Sequence, residues 1–165
     1  MNLYSLESEA QVLAAALLDR EEWDAEGIPA ILEPQDFYRE HHGWLYQAIL
    51  ERRGHDPTAL GAYMDSAHRW KPDGGWSLCI LELWGQCFTA HGIEAHARYV
   101  ANLSFSRQLV EVAARIARLS SDRDGTPWVI LDSALLDLES LRSLARRAAG
   151  IEADPFLARR GTMPE

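Results

Sequence analysis

The sequence predicts an all-α protein built as a compact helical head over residues 1–100, a long antiparallel helical hairpin over 101–149, and a linker or disordered tail over 150–165. Three observations carry that reading. Apolar residues recur at three- and four-residue spacing almost throughout, which is the period of a helix with one buried face. No segment alternates apolar and polar residues as a half-buried strand would. Finally, the helical stretches are punctuated by starts such as Asp56-Pro57 and Thr126-Pro127 and by Gly-containing stops. At 165 residues the chain is about one ordinary domain in size and can bury a sizeable core without a disulfide or metal.

Ser5 is the expected N-cap of a first helix reaching Leu18, with Ala10, Leu13, Ala14 and Leu17 on one stripe. Glu21, Glu22 and Asp24 surround Trp23 in a short second helix that Gly27 and Pro29 interrupt. Ile31 and Leu32 continue the buried side, and Asp36-Phe37-Tyr38 lies in a turn. A third helix spans about Glu40 to Arg53, turns Leu45, Ala48 and Ile49 inward, and stops at Gly54. Asp56 then caps a helix with proline at its first position, which runs to about His68 and buries Leu60 and Met64. After Pro72-Asp73-Gly74-Gly75, the segment from Trp76 to Phe88 is apolar on most sides, which predicts a helix at the centre of the bundle.

From Ile93 onward two long helices are expected, separated by the turn at residues 121–125. Leu109, Val112, Ala113, Ile116 and Leu119 form a stripe on the first arm. Leu131, Leu135, Leu138, Leu141 and Ala145 form one on the second. The arms can pack antiparallel, yet a two-helix hairpin is too thin to bury both its faces. It needs a partner hairpin or the head. These stripes, with Arg142 and Arg146 on the last helix, are the candidate protein-interaction residues.

Charge and composition narrow the function. Of 16 basic residues only Lys71 is a lysine, and it sits in Trp70-Lys71-Pro72 rather than behind a phosphate-binding glycine loop. The net charge of −9 falls wholly within residues 1–100, and residues 101–165 are balanced. Such a surface repels nucleic-acid phosphates, so no strong direct nucleic-acid binding is expected. No run is long and apolar enough for a membrane span, and only Cys79 and Cys87 are present, which fits a reducing, cytoplasmic setting.

No constellation for catalysis emerges, and no cofactor is expected. His41 and His42 are adjacent and point apart on a helix, while His91 and His96 are five apart, off the spacing of a zinc pair. No metal site is therefore expected, and Cys79 and Cys87 read as core residues. The acidic group Glu21, Glu22, Asp24 and Glu26 reads as a solvated helix start. Trp44, Trp76 and Trp84 read as core. Trp23, Trp70 and Trp128 lie near helix ends, where exposure would make them contacts for a protein partner. Only Trp70, beside Arg69 and Lys71, has the basic neighbours that stacking on single-stranded DNA requires. For Arg142, Arg146 and Arg147, interaction with the helix C-terminus and solvent is the first reading and contact with an acidic protein surface the second.

Together these residues resemble one family, the N-terminal domain of DnaB-type replicative DNA helicases. Ser5-Leu6-Glu7-Ser8-Glu9-Ala10 through Asp19 is similar to that family's opening S-L-E-A-E-x-x-V-L-G-x-L-L-L-D. Asp36-Phe37-Tyr38-Arg39, His42 and Ala48-Ile49 follow its D-F-Y-x-x-x-H-x-x-I-F-x-A-I segment, Gly74-Gly75 its G-G, and Ile93 to Val100 its N-I-x-x-Y-A-x-I-V. The resemblance covers about residues 5–145. It implies a head-and-hairpin fold, self-association (a hexameric ring when joined to a motor domain) and primase docking. A helicase loader or a full-length helicase is a further implied partner. The alternative reading is a freestanding regulator that binds a resident helicase, and a weaker one is an accessory contact with single-stranded DNA.

Overall fold

In a computed structural model, residues 2–51, 56–86, 89–121 and 126–150 are described. Among them every element is helical: α1 (Leu6–Leu18), α2 (Arg20–Ala25), α3 (Ile28–Ile31), a 3-10 turn (Pro34–Asp36), α4 (Glu40–Leu50), α5 (Pro57–Ala67), α6 (Gly75–Trp84), α7 (Glu94–Ser121) and α8 (Pro127–Ala149). Gly54, Cys87 and Phe88, the turn at 122–125 and the expected tail from residue 151 lie outside the described residues.

The local signals act as the sequence predicts at Ser5 and Asp56, whereas Thr126 precedes Pro127 at the start of α8 without a side-chain cap bond. The Ser5 hydroxyl accepts the Ser8 N–H at 3.2 Å, and the Asp56 carboxylate accepts the Ala59 N–H at 2.8 Å ahead of Pro57. Asp19 serves twice, closing α1 through its own N–H and capping α2 with its side chain. At the far end Gly150 adopts a left-handed φ of 67°, and its N–H bonds to carbonyls of the last turn of α8.

The core of the head forms around α1, whose small residues Ala14, Ala15 and Ala16 allow α4, α6 and α7 to approach it closely. Val12 and Leu13 are fully buried there, with Leu45 and Tyr46 from α4 and Val100 and Ala101 from α7. The Tyr46 hydroxyl donates to the Leu32 carbonyl at 3.1 Å, and burial pushes its pKa well up. Gly43 permits another close approach, because a Cβ there would collide with the Pro34 carbonyl.

Two sequence expectations are corrected here. Trp23 is fully buried rather than exposed at a helix end; its indole N–H donates to the Val12 carbonyl at 3.1 Å and its ring meets Tyr46 edge-on. Nor is α6 the central helix. It buries Trp76, Ile80 and Leu83 against α1 and α5, while Leu78, Leu81 and Trp84 stand on the surface. Trp84 is thus not a core residue. The apolar run shows that every side of α6 could be buried, and only one side has neighbours.

The hairpin is a continuation of the head rather than a separate piece. Its first arm, α7, is a single helix of 28 residues that begins in the head core at Ala97 and passes without a break through position 100, the expected boundary. Antiparallel α8 returns along it to the base. Leu141, Leu144 and Ala148 are buried near that base, and Val112 faces them from α7. Farther out, Arg115 of α7 pairs with Asp137 of α8 at 3.0 Å.

Candidate protein-interaction site

The candidate stripe residues separate into two groups. Val112 and Leu141 are buried within the hairpin, and Ile116 and Leu119 are half-buried along it. Leu109, Leu135 and Leu138 are exposed, together with Leu131. The stripe on α8 is therefore not the face turned toward α7, apart from Leu141. Ile130, Ala134 and Leu144 take that role, because an isolated hairpin covers only one side of each helix. Other apolar side chains of α8 are more exposed still, Trp128 near the tip by 68% and Leu136 in the middle of the helix by 74%. Exposed leucines at three- and four-residue spacing, beside an already packed seam, form the kind of face that a second helix pair buries.

Arg142 is exposed and loosely paired with Glu139 at 3.7 Å, and Arg146 lies half-buried in the last turn of α8. Arg147 departs from the solvent-facing expectation. It reaches into the head and pairs with Asp36 at 3.0 Å and with Glu33 at 3.2 Å.

Asp36 is the centre of a polar hub at the base of the hairpin. Its side chain is fully buried and accepts from the Ser104 hydroxyl of α7 at 2.8 Å, from Arg147 of α8, and from the Glu33 N–H at 2.8 Å. Arg107 donates to the Asp36 carbonyl at 2.6 Å and to the Leu3 carbonyl at 2.7 Å. Burial is the main influence lowering the Arg107 pKa. One aspartate thus fastens both arms and the N-terminal segment. Neighbouring Tyr38 and Phe37 line a groove of about 710 Å³ between the head and the hairpin, which Val112, Leu141 and Leu144 continue.

A second buried tie joins two motifs of the sequence. Glu9 of α1 accepts from His42 Nδ1 at 2.8 Å and from the Tyr38 N–H at 2.6 Å, and both Glu9 and His42 are buried. The pair has no reason to act on a substrate. It satisfies a carboxylate that would otherwise be costly to bury.

The acidic group on α2 is more than a solvated helix start. The Glu26 carboxylate accepts the N–H groups of Gly92 at 2.8 Å and Glu94 at 3.3 Å, so it caps the beginning of α7. The Gly92 hydrogen bond is the chief cause holding its pKa below the usual value, and the His91 pKa is raised, first by its hydrogen bond to Glu22. Glu22, Glu26 and His91 are close enough to hold a metal. Glu26 already satisfies two backbone donors, and His91 stands almost wholly in solvent. The arrangement works as a tether between α2 and α7.

On the opposite side, five rings gather where α4 meets the α5–α6 loop. Trp44 stacks on His68 at 4.7 Å, and Trp70 packs against His41 at 4.8 Å and buried Trp76 at 5.9 Å. Sequence spacing places Trp44 and Trp76 toward the core. It gives no sign of the cluster, whose members come from three separate segments.

Comparison with known proteins gives a consistent answer. The family profile of the DnaB-like helicase N-terminal domain matches residues 1–102. The chain is 35% identical over 136 residues to the replicative DNA helicase DnaB of Geobacillus stearothermophilus, covering 79% of this chain but 29% of that protein. It also resembles the crystal structure of the N-terminal domain of DnaB helicase from Mycobacterium tuberculosis. The TM-score there is 0.73 at 27% identity, covering 86% of this chain and 99% of that one.

Proposed function

Because the chain belongs to the DnaB-like helicase N-terminal domain family, we propose that it is a non-catalytic assembly and primase-docking module of a replicative DNA helicase, acting through its hairpin. The single observation behind this reading is the exposed apolar face of the arms, Leu109, Leu131, Leu135 and Leu138. Fully burying such a side chain contributes about 1.5–3 kcal/mol, and these four are about half-exposed in the single chain. Two symmetric copies burying that remaining half of four each give on the order of 6–12 kcal/mol, against an association cost of about 4–15 kcal/mol. The leucine face thus offsets much of the cost of association, and an isologous contact uses the same patch twice.

The acidic head, carrying the full −9 charge, suits a protein partner with a basic or apolar surface better than a phosphate backbone. That supports primase docking on the assembled module. Light scattering after size exclusion tests the assembly: a dimer or larger species is expected at tens of micromolar, and Leu135→Asp is expected to return it to monomer. A strict monomer for the unaltered chain, with no binding to primase from the same organism, would defeat the reading.

A further inference from the structure

We propose that α8 is the arm that binds a second copy, running antiparallel to the α8 of that copy, with Arg142 of each seated beside Asp132 of the other. This rests on the assembly reading above and adds to it the arm, the direction and the register. Trp128, Leu131, Leu135, Leu138, Arg142 and Ala145 recur at alternating spacings of three and four, so they form one stripe along α8. The first four are at least 47% exposed, and the seam toward α7 lies on a separate side, at Ile130, Ala134, Leu141 and Leu144.

Charge is ordered along this stripe. The acids that border it, Asp132 and Glu139, precede the cations, Arg142 and Arg146. Among the described residues, the one ion pair within this group of four is the 3.7 Å contact of Arg142 with Glu139, and both side chains remain more than half exposed. A parallel copy would set like charge against like, Asp132 on Asp132 and Arg142 on Arg142. An antiparallel copy centred between Leu135 and Leu138 brings those two leucines together and sets Arg142 over Leu131 and Asp132. It also places Arg146 beside the exposed Trp128 ring, a cation–π arrangement.

The other possible seat is α7 of the second copy, which offers Leu109, Ala113 and Ala117 as exposed apolar residues. From position 105 to its end α7 has one acid, Glu111, and that residue lines the groove against the head. Burial against α7 would leave the Arg142 guanidinium unpaired, which is costly. Charge therefore selects α8 against α8.

The test is sedimentation equilibrium of the whole chain and of two charge-reversed variants, Asp132→Arg and Arg142→Glu. Both positions are exposed, so circular dichroism of each should match the unaltered chain. Alone, each variant should self-associate about tenfold more weakly or worse, because it sets like charges together at both symmetric contacts. Mixed in equal amounts, the two should pair with one another at close to the unaltered strength, since the mixture restores opposite charges at both contacts. A chain carrying both changes should recover likewise. Unweakened association of either single variant, or a mixture no tighter than its components, overturns this arrangement while leaving assembly through the leucine face intact. A monomeric unaltered chain overturns both.

Discussion

The head and the hairpin obey the same helical rules yet end in different states. In the head, Trp23, Tyr46 and Trp76 are fully buried, and the buried side chains of Glu9, Asp36 and His42 have partners, while the Trp76 indole N–H has none among the described residues. In the hairpin, burial beyond the base is confined to one seam, and large apolar residues from Leu109 to Leu138 remain in solvent. The difference follows from geometry: several helices packed in different directions can close a core, and two antiparallel helices cannot. Stability therefore resides in the head, and the unspent apolar surface resides on the arms.

The sharpest test of that contrast is to damage each part by the same chemistry. Trp23→Ala should cost about 3–5 kcal/mol of unfolding free energy, read from the urea midpoint, since it removes a fully buried ring and its indole bond to the Val12 carbonyl. Asp36→Ala comes next, at about 2–3 kcal/mol, because it removes the acceptor of the buried Ser104 hydroxyl and of the Glu33 N–H and leaves Arg147 with Glu33 as its remaining carboxylate at the base of α8. Hydrogen exchange should then quicken in the last turns of α8 ahead of α1. Unchanged protection there would show that the hub does not anchor the arm.

Ile116→Asp should have a moderate effect on the hairpin seam and a large one on self-association, with the helicity of the head retained in circular dichroism. If packing and assembly both survive it, the stripe has been assigned to the wrong side. Leu135→Ala should change the monomer's stability by less than about 0.5 kcal/mol, being already exposed, while weakening assembly about tenfold. Equal stability losses for Trp23→Ala and Leu135→Ala would erase the distinction between the two regions.

The smallest expected effect is a pH dependence of the α2–α7 tether. The Glu26 pKa is lowered, so its contribution is complete above the ordinary value of 4.5 and is lost as pH falls through the lower folded value. The His91 pKa is raised, so its contribution is complete below 6.5 and is lost as pH rises through the higher folded value. The tether is accordingly tightest between about 4.5 and 6.5. His41 acts in the opposite sense: burial lowers its pKa from 6.5 to about 4, so its neutral ring favours the folded state fully above 6.5 and loses that contribution as pH falls toward 4. Tryptophan emission should shift as pH falls through about 4, where the folded His41 takes up its proton, and His41→Gln should abolish the shift.

Much of this fold is legible in the sequence because its signals are local. Ser5, Asp56 and Pro127 mark helix starts within a residue, since a cap acts only on its own first turn. The stripe in α4 likewise indicates which side turns inward. What cannot be read is the number of neighbours a helix will have, which is why α6 looks central in sequence and is half-exposed in space. The Arg147–Asp36 pair spans 111 positions and the Glu26 cap of α7 spans 66 to Gly92, so neither leaves a spacing pattern. For the candidate interaction face, the sequence marks Leu109, Leu135 and Leu138 as apolar at helical spacing. Their exposure depends on which side of each arm the other arm occupies.

The unbroken course of α7 has a mechanical consequence. At about 1.5 Å per residue, its 28 residues make a rod of about 42 Å whose inner end is embedded among Val100, Ala101 and α1. A rod so mounted has no joint where head becomes arm. The arm's bearing is settled when the head folds, and a load applied at the tip is delivered to the core as leverage rather than absorbed by a hinge.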